Sequence, residues 1–292
     1  MKLSLLILPF LLSASACGDD GSAASGDDAA GVDGGSGSDS GCTIDDNTTA
    51  SSTVAPSGCA VLERDASACE QERTAAGITG AYLKFSCRVK LTMSGGTVTA
   101  VADGQPDYTS NYYPTSNACY AAYTGAVQNP NHISTQSLTV GFTTTPNEAG
   151  RTMMGAIVGL AINGVPIFSN FAAPGDDIYK EAMTFDECGG HPQNTGVYHY
   201  HAEPFSLSYD DGRVIGMMRD GYAVYGRRDM DGSMPTLDQF GGHTGTTPDS
   251  ATAVYHYHVN QQTSTTAGTA GEKQWFLTTG TYRGTPGTCT GC

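Results

Sequence analysis

The chain has 292 residues, a formal net charge of −15, and 14 Lys and Arg against 29 Asp and Glu. So acidic a chain, with no basic cluster, has no electrostatic reason to bind nucleic acid or an anionic membrane surface. Charged residues make up 15% and Gly numbers 38, a composition that favours strands and turns over helices.

In chain order, the first signal is for export. Lys2 precedes the apolar run Leu3 to Leu12 and the small residues Ser13 to Ala16, the layout of a cleaved signal peptide. The run is too short for a transmembrane helix. Cys17 after Ser15-Ala16 resembles the lipobox of bacterial lipoproteins, with Ala14 where Leu is usual. That resemblance implies cleavage before Cys17 and lipidation of its thiol; the alternative is an ordinary signal peptide with Cys17 free or disulfide-bonded. Residues 1–16 are therefore read as signal and 17–58 as a tether. The tether is rich in Gly, Ser and Asp, cannot bury apolar surface and is expected to be disordered. With Cys17 assigned to lipid, eight of the nine cysteines remain, enough for four disulfides in an oxidising compartment. Cys289-Thr-Gly-Cys292 is read as one of these rather than as a redox motif.

Residues 59–292 form the folded domain. Helices are expected at Val61–Ala76 and Asp177–Thr184, and strands at Tyr82–Leu91, Thr97–Ala102, Ser137–Phe142 and Val254–Val259. Asn163-Gly164 and Asp220-Gly221, flanked by apolar residues, are hairpin turns. Segments 159–201 and 216–258 repeat: Asn163 aligns with Asp220 and His199 with His256, both 57 residues on, while His191 aligns with His243, 52 on. Each copy reads strand, turn, strand, loop, strand. The fold class is mainly β, an antiparallel sandwich or barrel built around this unit and stabilised by disulfides.

Chemistry concentrates in the repeat. Of seven histidines, six fall in two copies of Gly-Gly-His followed by Tyr-His-Tyr-His: His191, His199 and His201, then His243, His256 and His258. In a strand, His199 and His201 share one face and Tyr198 and Tyr200 the other, and the same holds for His256 and His258. Two histidines at i and i+2 can bite one metal ion, and four imidazoles converge if the two strands are neighbours. His191 and His243 sit on Gly-rich loops that can fold over that face. Asp186 and Asp238 precede them by five residues and are candidates to orient the ligands or to ligate directly. An all-imidazole site suits copper or zinc, or else nickel or iron. Cys188 is matched by Phe240, so it lies outside the repeated chemistry and is read as structural. The competing reading of the six histidines is a hydrogen-bonded structural network.

Other motifs are weak. There is no His-Glu-x-x-His, no Gly-x-Ser-x-Gly and no phosphate loop. Asp229-Met-Asp231-Gly-Ser233 lacks the spacing of a calcium loop and reads as an acidic turn. His132 is unassigned.

Gly-Gly-His and the doubled Tyr-His-Tyr-His, with Asp103 to Asp107, Asn129 to Asn131, Asp220 to Gly226 and Tyr282 to Thr285 in order, resemble the bacterial YHYH domain family over roughly 80–290. The resemblance implies an exported or lipid-anchored protein and supplies no catalytic residue. The leading expectation is an exported, lipid-anchored domain that binds copper or zinc through the six histidines, for metal capture or handling at the cell envelope. Its expected partners are the metal ion and, through the anchor alone, the membrane. A metal-dependent hydrolase or oxidase is the first alternative. The second is a carbohydrate-binding or adhesion module with Tyr108, Tyr112, Tyr113, Tyr222 and Tyr225 as a stacking platform.

Overall fold

The computed structural model describes residues 66–173, 176–208 and 212–292. The signal segment, Cys17, the tether and residues 59–65 lie outside them. Helix α1, Ser67–Ala75, and a 3-10 turn, Gly80–Lys84, lead into strands β1 (Lys90–Ser94), β2 (Thr97–Ala102) and β3 (Leu138–Thr143). There follow β4 (Arg151–Thr152), β5 (Ile157–Ala161), β6 (Pro166–Phe168), helix α2 (Ile178–Glu181), β7 (Gly190–Pro192) and β8 (Tyr198–Tyr200). Helix α3 (Phe205–Ser208) precedes β9 (Val214–Met218), β10 (Ala223–Tyr225), β11 (Gly242–Thr247) and β12 (Ser250–His258). The chain ends with β13 (Asn260–Thr263), β14 (Lys273–Phe276), β15 (Thr281–Tyr282) and β16 (Cys289–Thr290).

The expected helix Asp177–Thr184 is α2 continued by a 3-10 turn, with the Asp177 carboxylate accepting from the Tyr179 amide at its start. Tyr82–Leu91 is not a strand. Its alternation is overridden by two anchors on α1. Cys69 is disulfide-bonded to Cys87, and the buried Arg73 guanidinium donates to the carbonyls of Phe85, Ser86 and Val89. Those carbonyls are satisfied without a ladder, so pairing starts only at Lys90. Cys289 and Cys292 are joined, and Cys119 and Cys188 are also disulfide-bonded.

Two sheets carry the fold. One has the order β1-β2-β3-β16, and the other runs β11-β12-β10-β9-β5-β6-β8-β7. The larger is open, with β11 and β7 at its ends, so the barrel is excluded among the described residues. It is also mixed: β6 with β8 and β10 with β12 are parallel, and the remaining pairs are antiparallel.

Its strand order reads the same from either end. At the centre Gly159 pairs Met218, Leu160 pairs Met217 and Ala161 pairs Gly216. Residues 57 apart exchange places in this register (159 with 216, 161 with 218), and Leu160 faces its own equivalent, Met217. A pseudo-two-fold axis therefore passes between Leu160 and Met217. Both residues are buried with Val98, Ala100, Val140 and Phe142 of the smaller sheet. β5 and β9 are buried at every position, which is why they read as unbroken apolar runs. The two turns match bond for bond: Gly164 donates to the Ala161 carbonyl and Gly221 to that of Met218. The histidine strands β8 and β12 are thereby sent to opposite ends of the sheet.

Candidate metal centres

Each centre is a small folded unit whose motif residues have separable jobs. In the first, the Asp186 amide donates to the Gly190 carbonyl, and its carboxylate accepts from the amides of Cys188 and Gly190. Gly189 turns the chain at φ +87°, and Gly241 does the same at +84°, a region that side chains disfavour. At the second glycine the constraint is space: a Cβ on Gly190 would stand 2.5 Å from the Tyr198 hydroxyl oxygen, and one on Gly242 2.5 Å from that of Tyr255. Those hydroxyls donate to the loop aspartates, Tyr198 to Asp186 at 2.8 Å and Tyr255 to Asp238 at 2.9 Å. Gly-Gly-His and Tyr-His thus fit one another as a hairpin. The register sets His191 directly opposite His199 and His243 opposite His256, so both loop histidines lie in strands.

In the first centre, His191, His199 and His201 are each 2–3% exposed. Nε2 of His199 lies 3.1 Å from that of His191 and 3.0 Å from that of His201. The opposite ring nitrogens are committed elsewhere. His199 Nδ1 meets the Val197 carbonyl at 3.0 Å and His201 Nδ1 the Ser169 carbonyl at 2.5 Å. His191 Nδ1 lies 2.6 Å from Thr184 Oγ1, whose own proton goes to the Glu181 carbonyl. Carbonyls only accept, so this bonding assigns each proton to Nδ1 and leaves three Nε2 lone pairs facing one another. Burial holds the rings neutral. It pushes His191 down to about 3, helped by His201, and His201 to about 4, and it drives His199 well below the ordinary histidine value.

Three acceptors in contact with no proton between them repel, and a cation relieves the repulsion. Nitrogens bound at 2.0–2.1 Å to a tetrahedral ion stand about 3.3 Å apart. The first centre therefore needs to open by only a few tenths of an ångström. Phe168 stacks on His199 with ring centroids 3.8 Å apart, and Phe185 meets His191 edge-on. Glu181 Oε2 lies 4.0 Å from His201 Nε2; this oxygen is buried and has no hydrogen-bond partner. Burial, and secondarily Asp176, raises the pKa of its carboxyl.

The second centre repeats the bonding at the same 57-residue spacing. His256 Nδ1 meets the Val254 carbonyl at 3.0 Å and His258 Nδ1 that of Gly226 at 2.7 Å. His243 Nε2 lies 3.1 Å from that of His256 and 3.2 Å from that of His258. Burial lowers His256, and it lowers His258 to about 4. A fourth donor is in place: Asp229 Oδ1 stands 3.1, 3.8 and 3.5 Å from Nε2 of His243, His256 and His258. The side chains of Asp229 and His243 are 22% and 21% exposed, so this centre reaches solvent.

All six histidines are thus brought together, but as two groups of three: His191, His199 and His201, and Asp229 with His243, His256 and His258. The convergence of four imidazoles from neighbouring strands does not occur, because β6, β5, β9 and β10 separate β8 from β12. Asp186 and Asp238 accept hydrogen bonds from loop amides and tyrosine hydroxyls, and Asp186 also from Ser110, but not from imidazoles. The sequence reads Asp229 as part of an acidic turn. The turn is present, with Gly232 donating to the Asp229 carbonyl, but its first carboxylate faces the three histidines. Nothing in the repeat pointed to Asp229 or Glu181. The tyrosine platform is ruled out by burial: Tyr108, Tyr112, Tyr113 and Tyr225 are at most 4% exposed, and Tyr222 packs against the core. Tyr108 instead bonds the hydroxyls of Tyr198 and Tyr200 beneath the first centre. His132 meets the Tyr112 carbonyl and joins neither group.

Residues 137–234 match the family model described as YHYH protein, in agreement with the resemblance drawn from the motifs. The matched segment contains the first centre and Asp229 and stops before His243. Comparisons with curated proteins and with solved structures give no match.

Proposed function

We propose that this chain is an exported, lipid-anchored protein of the cell envelope that holds two transition-metal ions, copper or zinc, one in each histidine centre, for metal capture or handling. The observation that carries the reading is the facing of three unprotonated Nε2 atoms at the first centre, with each Nδ1–H turned outward to an oxygen acceptor; His256 and His258 repeat that bonding at the second. A structural histidine network would set donors against acceptors, and the first cluster sets acceptors against acceptors. Imidazole nitrogens with one carboxylate oxygen suit borderline divalent ions. Export and anchoring rest on the N-terminal pattern, and the disulfides fit an oxidising compartment.

Holding is favoured over turnover. A metalloenzyme needs a coordination position open to substrate. The first centre has three histidines and is buried, and the second reaches solvent but already has four donors. The repeated motifs and mirrored strand order support duplication of an ancestral single-centre unit.

The test is elemental mass spectrometry of the soluble chain from Cys42 onward, purified from the periplasm without a His-tag or chelator. About two equivalents of one metal are expected. Protein that arrives empty and takes up neither copper nor zinc on reconstitution would sink the proposal.

A further inference from the structure

The two centres have the same nitrogen donors but different oxygen neighbours, and this difference leads to a ligand that neither the motif nor the repeat assigns. We propose that Glu181 is the fourth ligand of the first centre, closing onto the ion through a swing of its side chain. Both centres then present three imidazole nitrogens and one carboxylate oxygen to a divalent cation. The inference rests on the metal reading above and deepens it.

Three observations support it. Glu181 Oε2 is buried without a hydrogen-bond partner, and leaving a buried acceptor unpaired is costly. That oxygen lies 4.0 Å from His201 Nε2, at the edge of the three-nitrogen cluster, so a swing of the side chain is what brings it onto the ion. A divalent ion among three neutral imidazoles would leave both its charges uncompensated in the interior, and a carboxylate removes one of them. At the second centre Asp229 already fills this role.

The segment that carries Glu181 is also tied to the centre through Thr184. The Glu181 carbonyl accepts from Thr184, whose oxygen holds His191. The Glu181 side chain keeps 29% exposure, which leaves it room to move. The two acids are not copies of one another. Asp229 comes four residues after β10 (225 to 229) and Glu181 thirteen after β6 (168 to 181). Each half of the sheet has found its carboxylate separately, from the connection before its Gly-Gly-His strand: the end of α2 in one and a turn in the other.

The experiment uses the chain carrying His256→Ala and His258→Ala, so that only the first centre can load, with cobalt(II) as the visible probe and azide as a small competing anion. The expected result is one cobalt per chain, with a spectrum that azide leaves unchanged. Adding Glu181→Ala is expected to weaken cobalt binding by about tenfold or more and to make the spectrum respond to azide. Glu181→Ala alone, with the second centre intact, must still load one equivalent there, which reports a preserved fold. A response to azide while Glu181 is present would overturn the proposal, as would unchanged affinity without it. Failure of the wild-type chain to take up any cobalt, zinc or copper would instead overturn the metal reading itself.

Discussion

The two histidine centres share their three imidazoles and a pair of carbonyl clamps, yet one is sealed and the other reaches solvent. His191, His199 and His201 lie at 2–3% exposure behind Phe168 and Phe185, whereas His243 and Asp229 each keep about a fifth of their side-chain surface. The same tetrapeptide is therefore compatible with a retentive site and an exchanging one. What separates them is the loop that covers each strand pair, not the histidines. Burial makes ligand exchange depend on local opening of the structure.

The largest expected effect is on metal content. His199→Ala with His201→Ala, and His256→Ala with His258→Ala, should each remove one of two equivalents by elemental analysis. Loss of both from either pair would break the separation of the centres. Next in size is the rate of release. Mixed with excess chelator, the second centre should empty at least about tenfold faster than the first, since only the first must open to exchange. Equal rates would erase the distinction between sealed and exposed.

A third expectation concerns pH in the metal-free protein. Unfolded histidine titrates near 6.5, while burial holds His191 at about 3 and His201 and His258 at about 4 in the folded chain. Above about 6.5 both states are neutral and these groups add no pH dependence. Below it the unfolded chain takes up protons that the folded chain refuses, so stability falls as pH drops from about 6.5 toward about 4. Urea midpoints at about pH 7.5 and about pH 5 measure the slope, which His199→Ala with His201→Ala should flatten. A midpoint that rises on acidification would contradict the buried, neutral rings.

The smallest effect sharpens the comparison at the loops. Asp186→Ala strips buried acceptors from Tyr198, Ser110 and two amides and should cost about 2–3 kcal/mol. Asp238→Ala acts at a side chain 35% exposed and should cost about 1 kcal/mol. Denaturant unfolding of the two variants gives the ranking, and equal costs would mean that the loops are equally buried in solution.

The histidines were legible because duplication writes them twice and because i, i+2 spacing puts a pair on one face. The turns at Asn163-Gly164 and Asp220-Gly221 were legible from local chemistry alone. The placing of β8 and β12 was not, since it depends on two parallel pairings made across long loops. His191 opposite His199 needed a strand register that the sequence suggests only as a flexible loop. Glu181 and Asp229 escaped notice because they occupy unmatched positions in the two copies, and comparing the copies hides what they do not share. Tyr82–Leu91 misled because its alternation is real, but Arg73 and the Cys69–Cys87 bond claim that backbone first.

The self-pairing of β5 and β9 about Leu160 and Met217 has a consequence for binding statistics. From β8 to β12 is five strand steps, a span on the order of 24 Å at the usual spacing between strands. Two ions that far apart sit beyond the Debye length of about 8 Å at physiological ionic strength. Two like charges at that range repel weakly and never attract, so filling one centre does not favour the other, and the Hill coefficient of saturation never exceeds one.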